Sequence, residues 1–342
     1  MQISFMRFLL KIASLLSALL CASATALADY HVLAQFKVGG EGGYDLLCTD
    51  SGARRLYLSH GTRVEVLDAD TGKKVGEIAP TAGIHGVAVA PEFNHGFTTN
   101  GKDRTITMFD LKTLQTLKVI PAHGKKPDAL DYDAETRQVF VCNSGSGEIA
   151  VIDAATGDFK ATVALSEGLE GLVFDGRGHM FVNDEDKSVV FVVDTHALKL
   201  IATWPLAPGE GPTGLAIDRA NQRIFSACGN GKFIVLNSDT GKILTTLPIG
   251  KDPDGATFDS TTGRAFASSR GGTLTVVQEE SPDKFSVLQT VATQYGARTI
   301  AFDEKTGRVF LPAAKFGPMP TDGSSHHPPI IPGTFTVLVV GQ

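Results

Sequence analysis

The chain has 342 residues, 42% of them hydrophobic and 37 of them glycine, with 31 Lys and Arg against 37 Asp and Glu for a formal charge of −6. Length and hydrophobic content suit a packed globular domain and exclude a disordered or fibrous chain. The acidic balance, with no basic run longer than Lys125-Lys126 or Arg54-Arg55, argues against nucleic acid as a partner, because polyanion binding draws its affinity from neutralised phosphates.

At the N-terminus, Arg7 and Lys11 precede an apolar run from Ile12 to Ala22, and Ala26-Leu27-Ala28 fits a small-x-small cleavage site. This pattern predicts a signal peptide over 1–28, cleaved after Ala28; the run is shorter than the ~20 residues a spanning helix needs. The leader removes Arg7, Lys11 and no acid, leaving 29 basic against 37 acidic residues, a charge of −8. The expected product is an exported monomer, periplasmic or secreted, of residues 29–342, one domain with no membrane span.

Next comes His31 to Val38, alternating as an outer strand does. From there seven aromatic residues recur, Tyr57, Phe97, Phe140, Phe181, Phe225, Phe266 and Phe310, with gaps of 40, 43, 41, 44, 41 and 44 residues. A period of this length, filled by strand-length apolar runs with turn signals between them, predicts an all-β, seven-bladed propeller of four-stranded antiparallel blades. The clearest copy reads Gly214–Asp218, Arg223–Ala227, Phe233–Asn237 and Ile243–Ile249. Turn glycines punctuate the repeats, as in Asp70-Thr71-Gly72 and Asp239-Thr240-Gly241, where a positive φ is expected. The seventh unit ends at Thr334–Val340 without a fourth strand, so His31–Val38 is expected to complete blade 7 and close the ring.

After the leader, Cys48, Cys142 and Cys228 remain, with no Cys-x-x-Cys spacing. Cys142 and Cys228 fall in nonadjacent blades, too far apart for a bridge, and are expected as buried structural thiols. His95, His123, His179 and His196 fall outside the channel and are expected to be structural or solvated, and Trp204 should pack between blades. No Gly-x-Ser-x-Gly turn or phosphate-cradling loop appears.

The stretch Gln138-Val-Phe-Val-Cys-Asn-Ser-Gly-Ser-Gly-Glu-Ile-Ala-Val-Ile-Asp153, with related copies at Tyr57–His60, Phe97–Asn100 and Phe181–Asp184, resembles the repeat of the YncE-like, or YVTN, β-propeller family. The resemblance covers essentially the whole chain after the leader. It implies an exported seven-bladed propeller and no agreed reaction, so function must be argued from the site.

Inner-strand starts and second-strand ends share one face of a propeller. The first set places Tyr44, His85, Asp128, Glu170, Thr213, Asp254 and Arg298 around the channel mouth. The second adds His60, Asn100, Asn143, Asp184, Cys228 and Ser269. This polar mouth is expected to bind a small polar ligand or a periplasmic protein, making the chain a noncatalytic binding or scaffold protein. The alternative is a metal-assisted hydrolase or lyase. Its divalent cation, the one cofactor in view, would be held by Asp128, Glu170, Asp254 and His85, with Asp184 a further donor. An accessory role in periplasmic redox is a lesser possibility with no motif of its own. A Pro-rich insertion over 315–333 in blade 7 should rise over the mouth as a lid, and its His326 and His327 are expected to be solvated.

Overall fold

The computed structural model describes residues 29–320 and 328–342. The expected signal peptide over 1–28 and His326 and His327 lie outside the described residues. Among the described residues no helix is long and apolar enough to cross a membrane.

Seven four-stranded antiparallel sheets form the ring. Their inner strands are Leu47–Asp50, Ile84–Ala90, Pro127–Asp133, Leu169–Phe174, Pro212–Asp218, Pro253–Asp259 and Ala301–Asp303, which define blades 1 to 7. Blade 7 takes its outer strand from the start of the chain: His31–Lys37 pairs with Thr336–Gly341, with Phe36 opposite Val337 and Gln35 opposite Leu338. Closure leaves the apolar Val337–Val340 stretch with partners on both sides, so no edge of that strand is open to other chains.

The periodic aromatics explain why blades stack. All seven are fully buried, each the third residue of its second strand, and each packs into a cluster shared with the next blade. Phe97 joins Leu130, Val139 and Val141 of blade 3; Phe225 joins Ala265 and Ala267 of blade 6; Phe310 joins Leu47, Leu56 and Leu58 of blade 1. Burying one aromatic per seam contributes about 2–3 kcal/mol of apolar transfer at each interface.

Turns repeat with the same economy. Asp68, Asp110, Asp153 and Asn237 end third strands, and each accepts a hydrogen bond from the backbone N–H three residues on, at 2.8, 2.7, 3.0 and 2.9 Å. Gly72, Gly157 and Gly241 follow at φ near +66 to +69°, a conformation that disfavours residues with a Cβ. Trp204 stacks on Phe181 at 5.7 Å in the seam between blades 4 and 5. Cys48, Cys142 and Cys228 are free thiols, and burial raises the pKa of each. His95 bonds the Ala154 carbonyl and His179 the Asp175 carboxylate.

Candidate functional site

The mouth is built from the first residues of the inner strands. A small residue follows in five blades, Gly86, Ala129, Gly171, Gly214 and Gly255, because the strands crowd at the axis. A Cβ on Gly214 would lie 2.5 Å from the Gly255 backbone, and one on Gly171 would lie 2.7 Å from the Thr213 carbonyl oxygen. Register shifts at the same strand starts, as between Ile84 and Val87 and between Pro127 and Leu130, locally re-aim the side chains. Polar residues near the second-strand ends then pin ring carbonyls in the following blade. Thr99 Oγ1 donates to Asp128 at 2.6 Å, Asn183 Nδ2 to Thr213 at 3.1 Å and Ser268 Oγ to Arg298 at 2.5 Å.

The result is a chain of alternating charge through blades 6, 7, 1, 2 and 3. Asp254 pairs with Arg298, whose other nitrogen donates to Asp45 at 2.9 Å. Asp45 bonds His85 Nδ1 at 2.7 Å, His85 lies 3.5 Å from Asp128, and Asp128 pairs with Lys126 at 3.3 Å. Burial opposes the His85 imidazolium, but the Asp45 hydrogen bond and the Asp128 charge outweigh it and raise the pKa. Burial likewise opposes charge on Arg298 and Lys126, and the neighbouring carboxylates overcome it. Asp254 ends with a raised pKa because desolvation exceeds the help from Arg298.

Blades 4 and 5 stand outside this chain. Burial first, then the charges of Asp128, Asp254 and Glu185, push Glu170 up to about 9, so it is a neutral acid at pH 7. Thr213 turns its hydroxyl to the Pro253 carbonyl at 2.9 Å.

Further along the inner strands from the polar ring, the cavity is lined by Leu46, Leu130, Leu172, Leu215 and Ile300; Phe316, Met319, Pro328 and Ile330 of the blade 7 insertion line it as a partial roof. Phe316 and Ile330 bridge across the insertion, and Gly317 N–H donates to Pro329 at 2.8 Å. Tyr295 meets Phe316 edge-on at 5.5 Å, and Tyr44 stacks on Phe335 at 5.2 Å. Burial pushes the Tyr44 hydroxyl up to about 12, and it donates to Gly296 at 2.8 Å. Gly296 is at φ +90°, and a Cβ there would sit 2.5 Å from the Phe316 ring. Together these residues line an open-mouthed cavity of about 1020 Å³.

Of the expected first ring, Tyr44, His85, Asp128, Glu170, Thr213, Asp254 and Arg298 all line this cavity. The blade 1 position in the charged ring belongs to Asp45, however, one residue past Tyr44. The expected second ring lies elsewhere: His60, Asn100, Asn143 and Asp184, with Cys228 and Ser269, are 0–2% exposed and are not among the residues lining the cavity. Asn100 Nδ2 donates to Thr105 and Thr107, Asn143 Nδ2 to the Ala122 carbonyl, Asp184 accepts from Lys187 N–H at 2.7 Å, and His60 bonds Arg63 at 3.1 Å. The mouth is instead lined by residues one place later in three of these blades, Glu185, Gly229 and Arg270, because successive strand residues face oppositely. Of the suggested metal ligands, His85 and Asp128 converge with Asp45 within 4.8 Å, and Glu170 and Asp254 stand outside that group.

The sequence profile of the family described as outer membrane protein assembly factor BamB matches residues 61–337. The chain belongs to that family. Curated relatives are "Uncharacterized protein YncE" of Salmonella typhi, 28% identical over 156 residues, and of Escherichia coli K12, 26% identical over 156 residues. Each match covers 42% of this chain and 44% of the relative, so the chain spans less than half the length of the YncE relatives it matches. The BamB-family match is longer and takes in all seven blades in part or whole. Among solved structures, "Structure of U3-55K" superposes with a TM-score of 0.74 at 12% identity, covering 91% of this chain and 98% of that one. "Kuenenia stuttgartiensis Hydrazine Synthase" gives 0.68 at 16% identity, covering 80% and 93%. At such identities the likeness shows the propeller fold alone.

Proposed function

We propose that the chain is a noncatalytic binding or scaffold protein whose working surface is the channel mouth. The observation that carries this is the pairing of the mouth's charges. Asp254, Arg298, Asp45, His85, Asp128 and Lys126 pair with one another in sequence, which holds the rim in place and leaves none of these six without a side-chain partner. The open-mouthed cavity of about 1020 Å³, with apolar as well as polar lining, suits a small ligand or an inserted side-chain cluster. The family description names work at an outer membrane, which supports the expected signal peptide and a periplasmic address.

Thermal-shift screening against small polar and amphipathic molecules, repeated on Phe316→Ala, tests the proposal. Stabilising hits whose shifts shrink in the variant support it; hits indifferent to the roof, or none, overturn it. The metal-assisted hydrolase or lyase keeps one specific observation, the convergence of Asp45, His85 and Asp128. Elemental analysis after chelator-free purification separates the two. Near-stoichiometric divalent metal that is lost in Asp45→Asn/Asp128→Asn would move the assignment to that enzyme class.

A further inference from the structure

Four basic groups line the mouth, and three of them are already paired. Lys126 is paired with Asp128, His85 with Asp45 and Asp128, and Arg298 with Asp254 and Asp45. Arg270 differs: its guanidinium has no hydrogen bond or ion pair among the described residues, although it lines the cavity and is only partly exposed. Its charge is near enough to act on Tyr44 and Asp254. Asp252, a rim carboxylate of the same blade, is exposed and makes no ion pair with it.

The backbone beneath Arg270 is fixed on both sides. Its N–H donates to Asp252 at 2.9 Å, and its carbonyl accepts from Gly296 N–H at 2.8 Å. The same cavity is lined by Tyr44, Tyr295 and Phe316 and by Leu215 and Ile300. An uncommitted guanidinium on a rigid backbone, set among aromatic and aliphatic lining residues, matches a planar anion attached to an apolar body.

Resting on the binding function proposed above, we infer that the mouth takes a small amphipathic anion, whose carboxylate or sulfonate pairs with Arg270 while its apolar body lies between the partial roof and the aliphatic lining. The other rim cations are paired with neighbours, so the site accepts one anionic group per ligand.

Two dyes with the same ring system test this: 8-anilinonaphthalene-1-sulfonate and its uncharged counterpart N-phenyl-1-naphthylamine, titrated by fluorescence into the purified full protein, Arg270→Gln and Phe316→Ala. The sulfonate is expected to bind the unmodified protein about ten to a hundredfold more tightly, the range of a charge-assisted pair. Arg270→Gln should bring it to the level of the neutral dye, whose affinity stays unchanged, and Phe316→Ala should weaken both. If both dyes bind equally, respond to Phe316→Ala and ignore Arg270→Gln, the anion inference is overturned while mouth binding stands. If neither dye binds, or neither responds to Phe316→Ala, mouth binding of amphipathic molecules fails and the inference with it. Circular dichroism melts of both variants ensure that a lost signal reports the site.

Discussion

Arg54 and Asp303 join blade 1 to blade 7. Two nitrogen–oxygen contacts of 2.7 Å link them, and the Asp303 side chain is fully buried. Burial would raise its pKa, but hydrogen bonds from Arg54, Thr306 and Ser51 overcome this and hold it at about 2. A carboxylate depressed on folding stabilises the protein above its unfolded pKa, near 4, and loses that contribution as pH falls through the folded value. Here the affected window is about pH 4 to 2, and the term is about 2 kcal/mol. Asp303→Asn leaves Arg54 with Asp70 alone at a half-buried site and should cost about 3 kcal/mol at pH 7 by urea unfolding. A loss below about 0.5 kcal/mol, the range of an ordinary surface change, would sink this account. Glu170 has the opposite sign. Its folded pKa of about 9 lies above the unfolded value, so its favourable contribution is present below about pH 4 and declines as pH rises to 9. Glu170→Gln should stabilise the protein at pH 7, on the order of 1–2 kcal/mol after allowance for water in the cavity, and flatten stability between pH 5 and 9. Equal pH profiles for the two proteins would refute it.

At the scale of elements, the closing strand is held by very little apolar surface. Of His31–Lys37 only Phe36 is buried; it lies against Phe310 at 6.3 Å, and its ring occupies the space a Cβ on Gly72 would take. Phe36→Ala should therefore cost about 3 kcal/mol, nearly all the packing that this strand contributes. Deleting 31–37 should go further, because it exposes one edge of Thr336–Gly341, whose six residues are all buried. Light scattering after size-exclusion chromatography should then show dimers or larger species. A monomeric deletion variant with an unchanged melting temperature would show that the ring does not depend on this closure. The blade 7 insertion is an element of another kind. It contributes side chains to the mouth and little to the ring, so Phe316→Ala should change binding with small effect on stability.

The whole molecule works as a frame that brings single residues from different blades to one axis. No blade contributes more than a few groups to the mouth. Asp45 and His85 are 40 residues apart, and Arg298 and Asp45 are 253 apart, so the alternating charges meet only in the closed ring. The ring residues were legible one by one, since each inner-strand start could be located from the repeat. Their pairing was not, and neither was the neutral state of Glu170, which depends on its burial in the ring and on carboxylates from three other positions. Where blade 1 begins with Gly39-Gly40-Glu41-Gly42-Gly43 before Tyr44, the repeat pattern is thin, and the ring position was displaced from Asp45 to Tyr44. The second ring was displaced in the same way, from Arg270 to Ser269 and from Glu185 to Asp184.

By itself, the sequence determined the all-β architecture, seven repeats, the aromatic core and the closing strand. Each is written in a local pattern that recurs: an aromatic in every seam, an Asx-Thr-Gly turn, an alternating outer strand left over at the start. Tertiary structure alone decided which residue at each strand end faces the axis, because a shift of one place in a strand reverses the side chain and the register shifts near the inner-strand starts are silent in the sequence. It also decided which charges of the mouth cancel. The ion-pair distances that link them depend on how closely the glycine-flanked inner strands converge, and that distance belongs to the ring rather than to any blade.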